Sequence, residues 1–352
     1  MKLSIGILAY NEADAIATLL ESLGQQSLLT TNSNPEHSVE IIVVANGCTD
    51  NTSAIANQTL EKLSHKREQA SWNWQVCEVD EAGKSNAWNL FIHQFAAPDA
   101  DFFYLMDADI KLQDASALEK MLETLIKHPE YWIALDQPIK DVELKANKSW
   151  IEKLSVAVSK SSNAGQLYIC GQLYCGRAEP LRNIWMPPGL PVEDGFLTQM
   201  IIRENFIVKN PTFTKRIIRV TEASHIFKAY TNPLELVNHE VRVVVGIVIN
   251  LFLTYYLEEK CSSKLTAGML INTMNQENHL WLNDFVRQTL AQGKWWLIPV
   301  SLVFRRYRSL QNHTWWKALL RFPIATLAFM VDISIFIRAN STLHRQVITN
   351  YW

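Results

Sequence analysis

The first 135 residues alternate between short, almost fully apolar runs and longer segments whose apolar residues recur at helical spacing. The opening run, LSIGILAY, predicts a buried core strand, and Ile16, Leu19, Leu20 and Leu23 then fall on one helical face. The same order repeats through VEIIVVAN, WNWQVCEVD and DFFYLMDAD, each followed by a helical pattern. This alternation indicates an α/β fold with a mostly parallel central sheet covered on both faces.

The pattern changes beyond residue 135. A polar stretch near 137–149 precedes a helix predicted over 149–160, a strand around LYICGQLYCG, a proline-rich loop WMPPGLP and a helix FLTQMIIREN. The remainder is helical and apolar, with two main runs, LVNHEVRVVVGIVINLFLTYYL and TWWKALLRFPIATLAFMVDISIFI. We therefore predict an α/β domain over 1–232 and a helical, apolar and basic C-terminal region over 233–352.

Charge divides the chain at the same place. Residues 1–232 contain 21 Lys and Arg against 28 Asp and Glu, whereas residues 233–352 contain 12 against 7. Beyond residue 290 a single acid, Asp332, stands among eight basic residues. Four tryptophans lie near the basic residues of this tail: Trp295, Trp296, Trp315 and Trp316, among Lys294, Arg305, Arg306, Arg308 and Lys317. This composition predicts contact between the C-terminal region and an anionic surface.

Neither apolar run is an uninterrupted membrane span. The uncharged core after Arg242 ends at Glu258, near the lower limit of ~17 residues for spanning, and the second run contains Arg321, Pro323 and Asp332. We therefore predict helices that lie in the headgroup region of a membrane. An ordinary helical subdomain or a homodimer interface is the alternative.

The five scattered cysteines show neither zinc spacing nor a disulfide framework, so reduced thiols in a cytosolic protein are expected. The first residues, MKLSIGILAYNE, predict a core strand rather than a signal peptide.

Two acids, Asp107 and Asp109, end the apolar run FFYLMDADI. Positions i and i+2 of a strand share a face, so the two carboxylates are predicted side by side at a strand end. Carboxylate oxygens suit a hard cation such as Mg²⁺ or Mn²⁺. A solvated turn with a helix cap is the alternative for an isolated Asp-x-Asp.

Three further residues extend this chemistry. Lys84, in AGKSN, would neutralise charge on a departing phosphate, although alone it is an exposed lysine at a helix start. Glu193 and Asp194 precede a predicted helix, where they would either cap it or act as a general base on an attacking hydroxyl.

The ordered segments ILAYNE, VVANGCTDNT, GKSNAWN, MDAD and VEDG, from residue 3 to about 220, resemble the motifs of family 2 glycosyltransferases. The resemblance implies a nucleotide-sugar-binding fold of the GT-A type over 1–232 and an inverting transfer without a covalent enzyme intermediate. It also implies roles for individual residues. The first loop would contact the nucleoside, Asn46 would border the nucleobase, and Lys84 would approach the diphosphate. Asp107 would touch ribose and metal, and Asp109 would bind the metal. Asp194 would be the catalytic base, supported by Glu193. The first-loop residues are Ala9, Tyr10, Asn11 and Glu12.

Three departures refine this expectation. Ala45 stands where many members have an acid that contacts the base, so UDP is a default choice of nucleotide. The Gln-x-x-Arg-Trp signature of processive synthases is absent after Asp194, which favours transfer of a single sugar. His225 would reach the diphosphate or metal, or would be a hydrogen-bonded structural histidine.

The predicted protein is thus a cytoplasmic enzyme, peripheral on the inner face of the membrane, with no nucleic-acid partner. It would use a nucleoside diphosphate sugar and a glycan or lipid-linked acceptor. A sugar nucleotidyltransferase is a rival, although the first loop, AYNEAD, lacks the glycine-rich basic pattern that binds a triphosphate. A non-catalytic nucleotide-sugar-binding module is the second rival.

Overall fold

The computed structural model describes residues 1–30, 37–65, 72–145, 167–209, 211, 216–230, 232–291, 295–311 and 314–345. The helix predicted over 149–160 and the tail residue Lys294 lie outside these residues.

One sheet forms the centre of the fold. Within the described residues it has eight strands in the order β3-β2-β1-β4-β7-β6-β8-β5, and only β7 and β5 run against the common direction. The predicted mostly parallel sheet is confirmed. The strands are β1 (Lys2–Ala9), β2 (Ser38–Asn46), β3 (Trp72–Val79), β4 (Phe102–Asp107), β5 (Lys111–Leu112), β6 (Ile133–Lys140), β7 (Leu173–Arg177) and β8 (Ile217–Phe227).

Helices cover both faces of the sheet and continue beyond it. In the described part of the chain they are α1 (Ile16–Gly24), α2 (Ser27–Thr30), α3 (Thr52–His65), α4 (Lys84–Leu90), α5 (Ala117–Lys127), α6 (Ala178–Arg182), α7 (Glu193–Ile202), α8 (Pro233–Lys260), α9 (Ala267–Glu277), α10 (Trp281–Ala291), α11 (Val300–Val303), α12 (Arg305–Leu310) and α13 (Trp315–His344). A π-helical turn (Phe91–Phe95) prolongs α4, and a 3₁₀ turn (Asp141–Glu143) follows β6.

Side-chain alternation along the strands separates two apolar cores. On β4, Tyr104 and Met106 join a core with α1, α3 and α5, whereas Phe103 and Leu105 point into the opposite core with α4 and α7. The predicted apolar face of α1 is fully buried in the first core. The second core runs on without a break into α8 and α13, so the predicted C-terminal helical region packs onto the sheet domain.

Helix α8 fixes the start of α7. A Cβ added at Gly246 would lie 2.2 Å from a methyl carbon of Val192, so only glycine permits this close approach. Asn250 Nδ2 also donates to the Val192 carbonyl at 2.9 Å. The C-terminal region thereby holds the backbone immediately before Glu193 and Asp194.

Two helices, α8 and α13, are long and apolar enough to cross a membrane by length and composition. Of the most apolar 18-residue window in each, 44% is buried in α8 and 22% in α13. Helix α13 runs from Trp315 to His344 through Arg321, Pro323 and Asp332 without interruption.

Some local predictions were wrong. The strand expected around LYICGQLYCG is limited to β7, because Gly171 and Gln172 form a turn before it. The long strand β8 was not predicted, since its sequence, IIRVTEASHIF, does not alternate cleanly between apolar and polar residues. Glu193 and Asp194 lie in the first turn of α7 rather than before it.

Candidate active site

Loops from four strands converge at one edge of the sheet. Because β3, β2, β1 and β4 are parallel neighbours, their carboxyl ends meet there. The residues after these ends include the first loop, the loop after Asn46, Lys84 at the start of α4, and Asp109. Helix α7 adds Glu193 and Asp194 from much later in the chain.

Lys84 lies at the centre of this edge. Its Nζ is 2.6 Å from Asp107 Oδ1 and 3.0 Å from Glu193 Oε1, and its side chain is only 17% exposed. Burial pulls the pKa of Lys84 down, but the charges of Asp107 and Glu193 outweigh it and raise that pKa well above its usual range. The lysine is therefore a permanent cation that links the end of β4 to the start of α7.

Asp194 lies beside this ion pair in a poorly solvated position. Burial, followed by the negative charge of Glu193, raises the pKa of Asp194 to about 6. Its Oδ1 accepts a hydrogen bond from Gly195 N at 2.6 Å. A small cavity next to Asp194 is lined by Trp88, Tyr174 and Leu197 among others. The carboxylate is thus more basic than an ordinary aspartate and lines this cavity.

Gly171 brings the backbone against all three charged side chains. A Cβ at this position would lie 3.0 Å from Glu193 Oε1, 3.2 Å from Lys84 Nζ and 3.4 Å from Asp194 Cβ. Sequence reasoning missed Gly171, and its only signal was a glycine inside an otherwise strand-like run. The absence of a side chain there leaves room for the acids and the lysine to approach one another.

Asp107 and Asp109 differ in their surroundings. Strand β4 ends at Asp107, so alternation along the strand does not extend to Asp109, which lies exposed in the following turn. Burial raises the pKa of Asp107 to about 6, against the opposing effect of Lys84 and with a further increase from Asp109. The two carboxylates interact electrostatically, although the argument from a shared strand face was wrong.

Glu12 adds a third carboxyl group to the same edge. Burial, then the charges of Asp109 and Asp107, raise the pKa of Glu12 to about 7. Three acids that repel one another at a strand edge fit a cation that would neutralise them. Among the described residues, no three acidic, histidine or cysteine side chains converge closely enough to hold a metal ion by themselves. Two carboxylates together with phosphate oxygens suffice for Mg²⁺, so Asp107 and Asp109 fit a metal that arrives with a diphosphate.

The first loop is tied to the loop after β2. Asn11 has a positive φ of 54°, and its Oδ1 accepts from Thr49 N at 2.8 Å. Glu12 N donates to Thr52 Oγ1 at 2.8 Å. Ala9 is the last residue of β1, and Tyr10 is half-buried directly after it. These bonds hold both loops in a fixed shape at the edge where the nucleoside was predicted.

Asn46 is fully buried rather than presented at the surface. Its Nδ2 donates to the Glu81 carbonyl, and the adjacent Gly47 N donates to the Val79 carbonyl at 2.6 Å. The Asn46 amide therefore joins the loop after β2 to the loop that carries Lys84.

His225 is also fully buried, on β8. Its Nδ1 is 2.6 Å from Asp136 Oδ2, and its Nε2 is 3.2 Å from Gln172 Oε1. Gln172 in turn accepts a hydrogen bond from Asp107 N through its carbonyl, at 3.0 Å. His225 thus contacts the predicted metal-binding segment through Gln172. Asp136 and Gln172 were not identified from the sequence, because nothing local to either marks a partner on another strand.

Comparison with known proteins agrees with this architecture. Residues 4–181 match the family model described as glycosyl transferase family 2, which is more than half of the chain. The protein therefore belongs to glycosyl transferase family 2, and its α/β fold is the predicted GT-A type.

The chain is also similar to two solved structures. S. aureus TarS 1–349 in complex with UDP is 17% identical, covering 98% of this chain and 92% of its own, with a TM-score of 0.46. Glucosyl-3-phosphoglycerate synthase from Mycobacterium tuberculosis, in complex with Mg²⁺ and UDP, is 17% identical, covering 71% of this chain and 79% of its own, with a TM-score of 0.45. No curated protein matches the chain.

Proposed function

We propose that this glycosyltransferase is an inverting, metal-dependent enzyme of the hexosyltransferase type. It moves one sugar from a nucleoside diphosphate donor, UDP by default, to an acceptor hydroxyl held at Asp194. The observation that carries the proposal is the position of Lys84, whose Nζ lies within 3.0 Å of one acid on β4 and one acid on α7. Lys84 thereby links Asp107, proposed to hold the donor, to Glu193, which adjoins the proposed base Asp194.

Asp194 acts as the general base in this proposal. It removes the proton from the acceptor hydroxyl while the hydroxyl oxygen forms a bond to the anomeric carbon. The bond between that carbon and the β-phosphate oxygen breaks in the same step, and its electron pair leaves with the nucleoside diphosphate. A pKa near 6 keeps Asp194 ionised at neutral pH and makes it a better proton acceptor than an ordinary aspartate.

Charge stabilisation on the donor side comes from Lys84 and from a bound cation. Asp107 and Asp109 would hold Mg²⁺ or Mn²⁺, which supplies positive charge to the departing diphosphate. Lys84 adds a second positive charge within reach of Asp107, and Glu193 orients it through the 3.0 Å contact. Ala9, Tyr10, Asn11 and Glu12 would line the nucleoside site, with Asn46 fixing the neighbouring loop.

The acceptor and the location form the second part of the proposal. The excess of basic residues after 232 favours an acceptor at an anionic surface, such as a lipid-linked sugar or a cell-surface glycan precursor. We place the enzyme in the cytoplasm, on the inner face of the membrane.

Donor hydrolysis tests the reaction without knowledge of the acceptor. The full chain is incubated with a panel of nucleotide sugars and Mn²⁺, and released nucleoside diphosphate is measured. We expect release from one donor, and its loss in Asp109→Ala. Release that is equal in wild type and Asp109→Ala would contradict the metal-binding role.

Ligand binding provides an independent measurement. Nucleoside diphosphates are screened by thermal shift with and without Mn²⁺, and the correct one should stabilise the protein by ~2.7 kcal/mol at a hundred times its dissociation constant. Asp99→Asn, an exposed acid near the N-terminal end of β4, is the matched control and should leave this shift unchanged. No stabilisation by any nucleotide would argue against the donor site.

A further inference from the structure

One face of α13 exposes a row of apolar side chains, which Ser334 interrupts near its end. Its eight members are 49–69% exposed and run from the first turn almost to the end of the helix: Trp316, Leu319, Leu320, Ile324, Leu327, Met330, Val331 and Ile337. They lie opposite the stripe that packs inward, which includes Ala325, Asp332 and Phe336. At 1.5 Å per residue the row extends for roughly 30 Å. We call it the outward row.

The outward row is larger than the isolated exposed apolar residues found on most soluble surfaces. Leucine and isoleucine side chains left in water forgo the free energy that burial would provide. The inward stripe already attaches α13 to α8 and α12, so the outward row is not needed to hold the helix in place. An exposed apolar surface of this length indicates a binding surface.

Charge around the row identifies the partner. Within 295–311 and 314–345 the exposed basic side chains are Arg308, Lys317, Arg321, Arg338 and Arg345. The single acid in these ranges, Asp332, is buried and bonded to Arg305 and Arg306, each at 2.9 Å. Within these two ranges the exposed charged side chains are therefore all basic, which is complementary to anionic headgroups.

Exposed tryptophans strengthen this assignment. Trp315 is 81% exposed and Trp295 is 76% exposed. Lys317 Nζ lies 5.2 Å from the ring centroid of Trp316, at the beginning of the row. Tryptophan beside lysine or arginine is characteristic of side chains that lie between acyl chains and headgroups.

We propose that α13 lies flat on an anionic lipid bilayer, with the outward row in the boundary between headgroups and acyl chains. The basic side chains would contact lipid phosphates. A crossing orientation is disfavoured by the charged residues packed against α13. Asp332 of α13 pairs with Arg305 and Arg306 of α12, and Arg305 also pairs with Glu240 of α8. These side chains would enter the hydrocarbon if α13 crossed the membrane. A second copy of the chain is disfavoured because it would bring the same basic surface against itself. The inference does not depend on the proposed reaction.

Vesicle flotation of the full chain tests the proposal. Vesicles of phosphatidylcholine with one third phosphatidylglycerol are compared with phosphatidylcholine alone. We expect wild type to float with the anionic vesicles, and Leu320→Glu/Leu327→Glu to bind at least about tenfold more weakly. Leu280→Glu, a 61% exposed leucine between α9 and α10, is the matched control and should float like wild type.

Two further measurements keep the outcome decisive. All variants should unfold at the wild-type temperature, because each substituted leucine is exposed. Equal flotation of the double variant and wild type would overturn the proposal. A second pair of results would also overturn it: wild type does not bind vesicles, and sedimentation detects a lipid-free dimer that the double substitution dissociates. The outward row would then be a self-association surface.

Discussion

Two ionic clusters in the molecule have opposite compositions. At the sheet edge one lysine, Lys84, lies between Asp107 and Glu193, whereas in the C-terminal region one acid, Asp332, lies between Arg305 and Arg306. The first cluster has surplus negative charge and faces the edge where ligands bind in such sheets. The second has surplus positive charge.

The difference between them lies in how the surplus is compensated. Glu240 Oε2, 3.4 Å from Arg305 Nη2, completes the C-terminal cluster within the protein. At the sheet edge further acids, Asp109 and Glu12, add to the surplus instead of reducing it. A closed cluster stabilises the packing of helices, whereas the open one leaves negative charge that a bound cation would neutralise. Substitutions in each cluster test this difference.

The largest effect is expected for Asp194→Asn. The amide cannot accept the hydroxyl proton, so transfer should fall by about 10²–10⁴-fold. Nucleoside diphosphate binding, measured by thermal shift with Mn²⁺, should persist. Transfer at the wild-type rate would show that the base lies elsewhere.

Lys84→Met removes the lysine charge from the sheet-edge cluster. It leaves Asp107 and Glu193 without their partner, and losing one member of a buried ion pair typically costs about 3–5 kcal/mol in the free energy of unfolding. Chemical denaturation near pH 8 should reveal this loss. Asp107 already has a pKa of about 6 with the lysine present, so protonation near pH 5 should recover part of it.

The control for that variant is Lys2→Met. Lys2 Nζ pairs with the exposed Asp99 at 2.7 Å, and an exposed pair contributes little to stability because solvent screens it, so we expect a much smaller loss than for Lys84→Met. Equal losses of unfolding free energy in Lys84→Met and Lys2→Met would show that burial does not strengthen the ion pairs of Lys84.

The pH dependence of transfer tests the basic form of Asp194 directly. Its pKa is raised, to about 6, so the carboxylate required for catalysis is populated above that pH and is lost as the pH falls through it. The rate constant at saturating substrates should fall about tenfold per pH unit below 6. A profile that is flat down to pH 4 would contradict an essential group of this pKa.

A smaller effect is expected for Gly171→Ala. The added methyl group would lie 3.0 Å from Glu193 Oε1 and 3.2 Å from Lys84 Nζ, so one of them must move. We expect roughly tenfold slower transfer, with a change in unfolding free energy near 1 kcal/mol. Gly189→Ala serves as control for substitution of a loop glycine: although its φ is +72°, nothing lies within 4 Å of the added Cβ, so it should alter stability but not transfer.

The closed cluster should affect stability alone. Asp332→Asn removes the charge from four hydrogen bonds between Asp332 and the two arginines. We expect a loss of about 2 kcal/mol at neutral pH with an unchanged rate of donor hydrolysis. The arginines lower the pKa of Asp332 despite its burial, so the stabilisation is present above the unfolded pKa and disappears in acid. A large fall in hydrolysis would show that the clusters are coupled.

Much of the fold follows from local pattern. The alternation of apolar strands with amphipathic helices predicted β1 to β4 with their helices, because each pattern depends only on neighbouring residues. β8 and the turn at Gly171 escaped prediction, since strand pairing and close backbone approach involve residues far apart in sequence. The proposed roles of the site residues remain predictions.

The sequence by itself determined the family, through five short motifs in order, and the apolar and basic character of the C-terminal region. Only the tertiary structure decided that Lys84 connects Asp107 to Glu193, although the lysine and the glutamate are 109 positions apart in the chain. It also decided that 44% of the apolar window of α8 is buried against 22% in α13, which exposes its outward row, although both helices are similarly apolar. The physical reason is the same in both cases: ion pairing and burial depend on which surfaces meet in space, and hydropathy along the chain does not specify them.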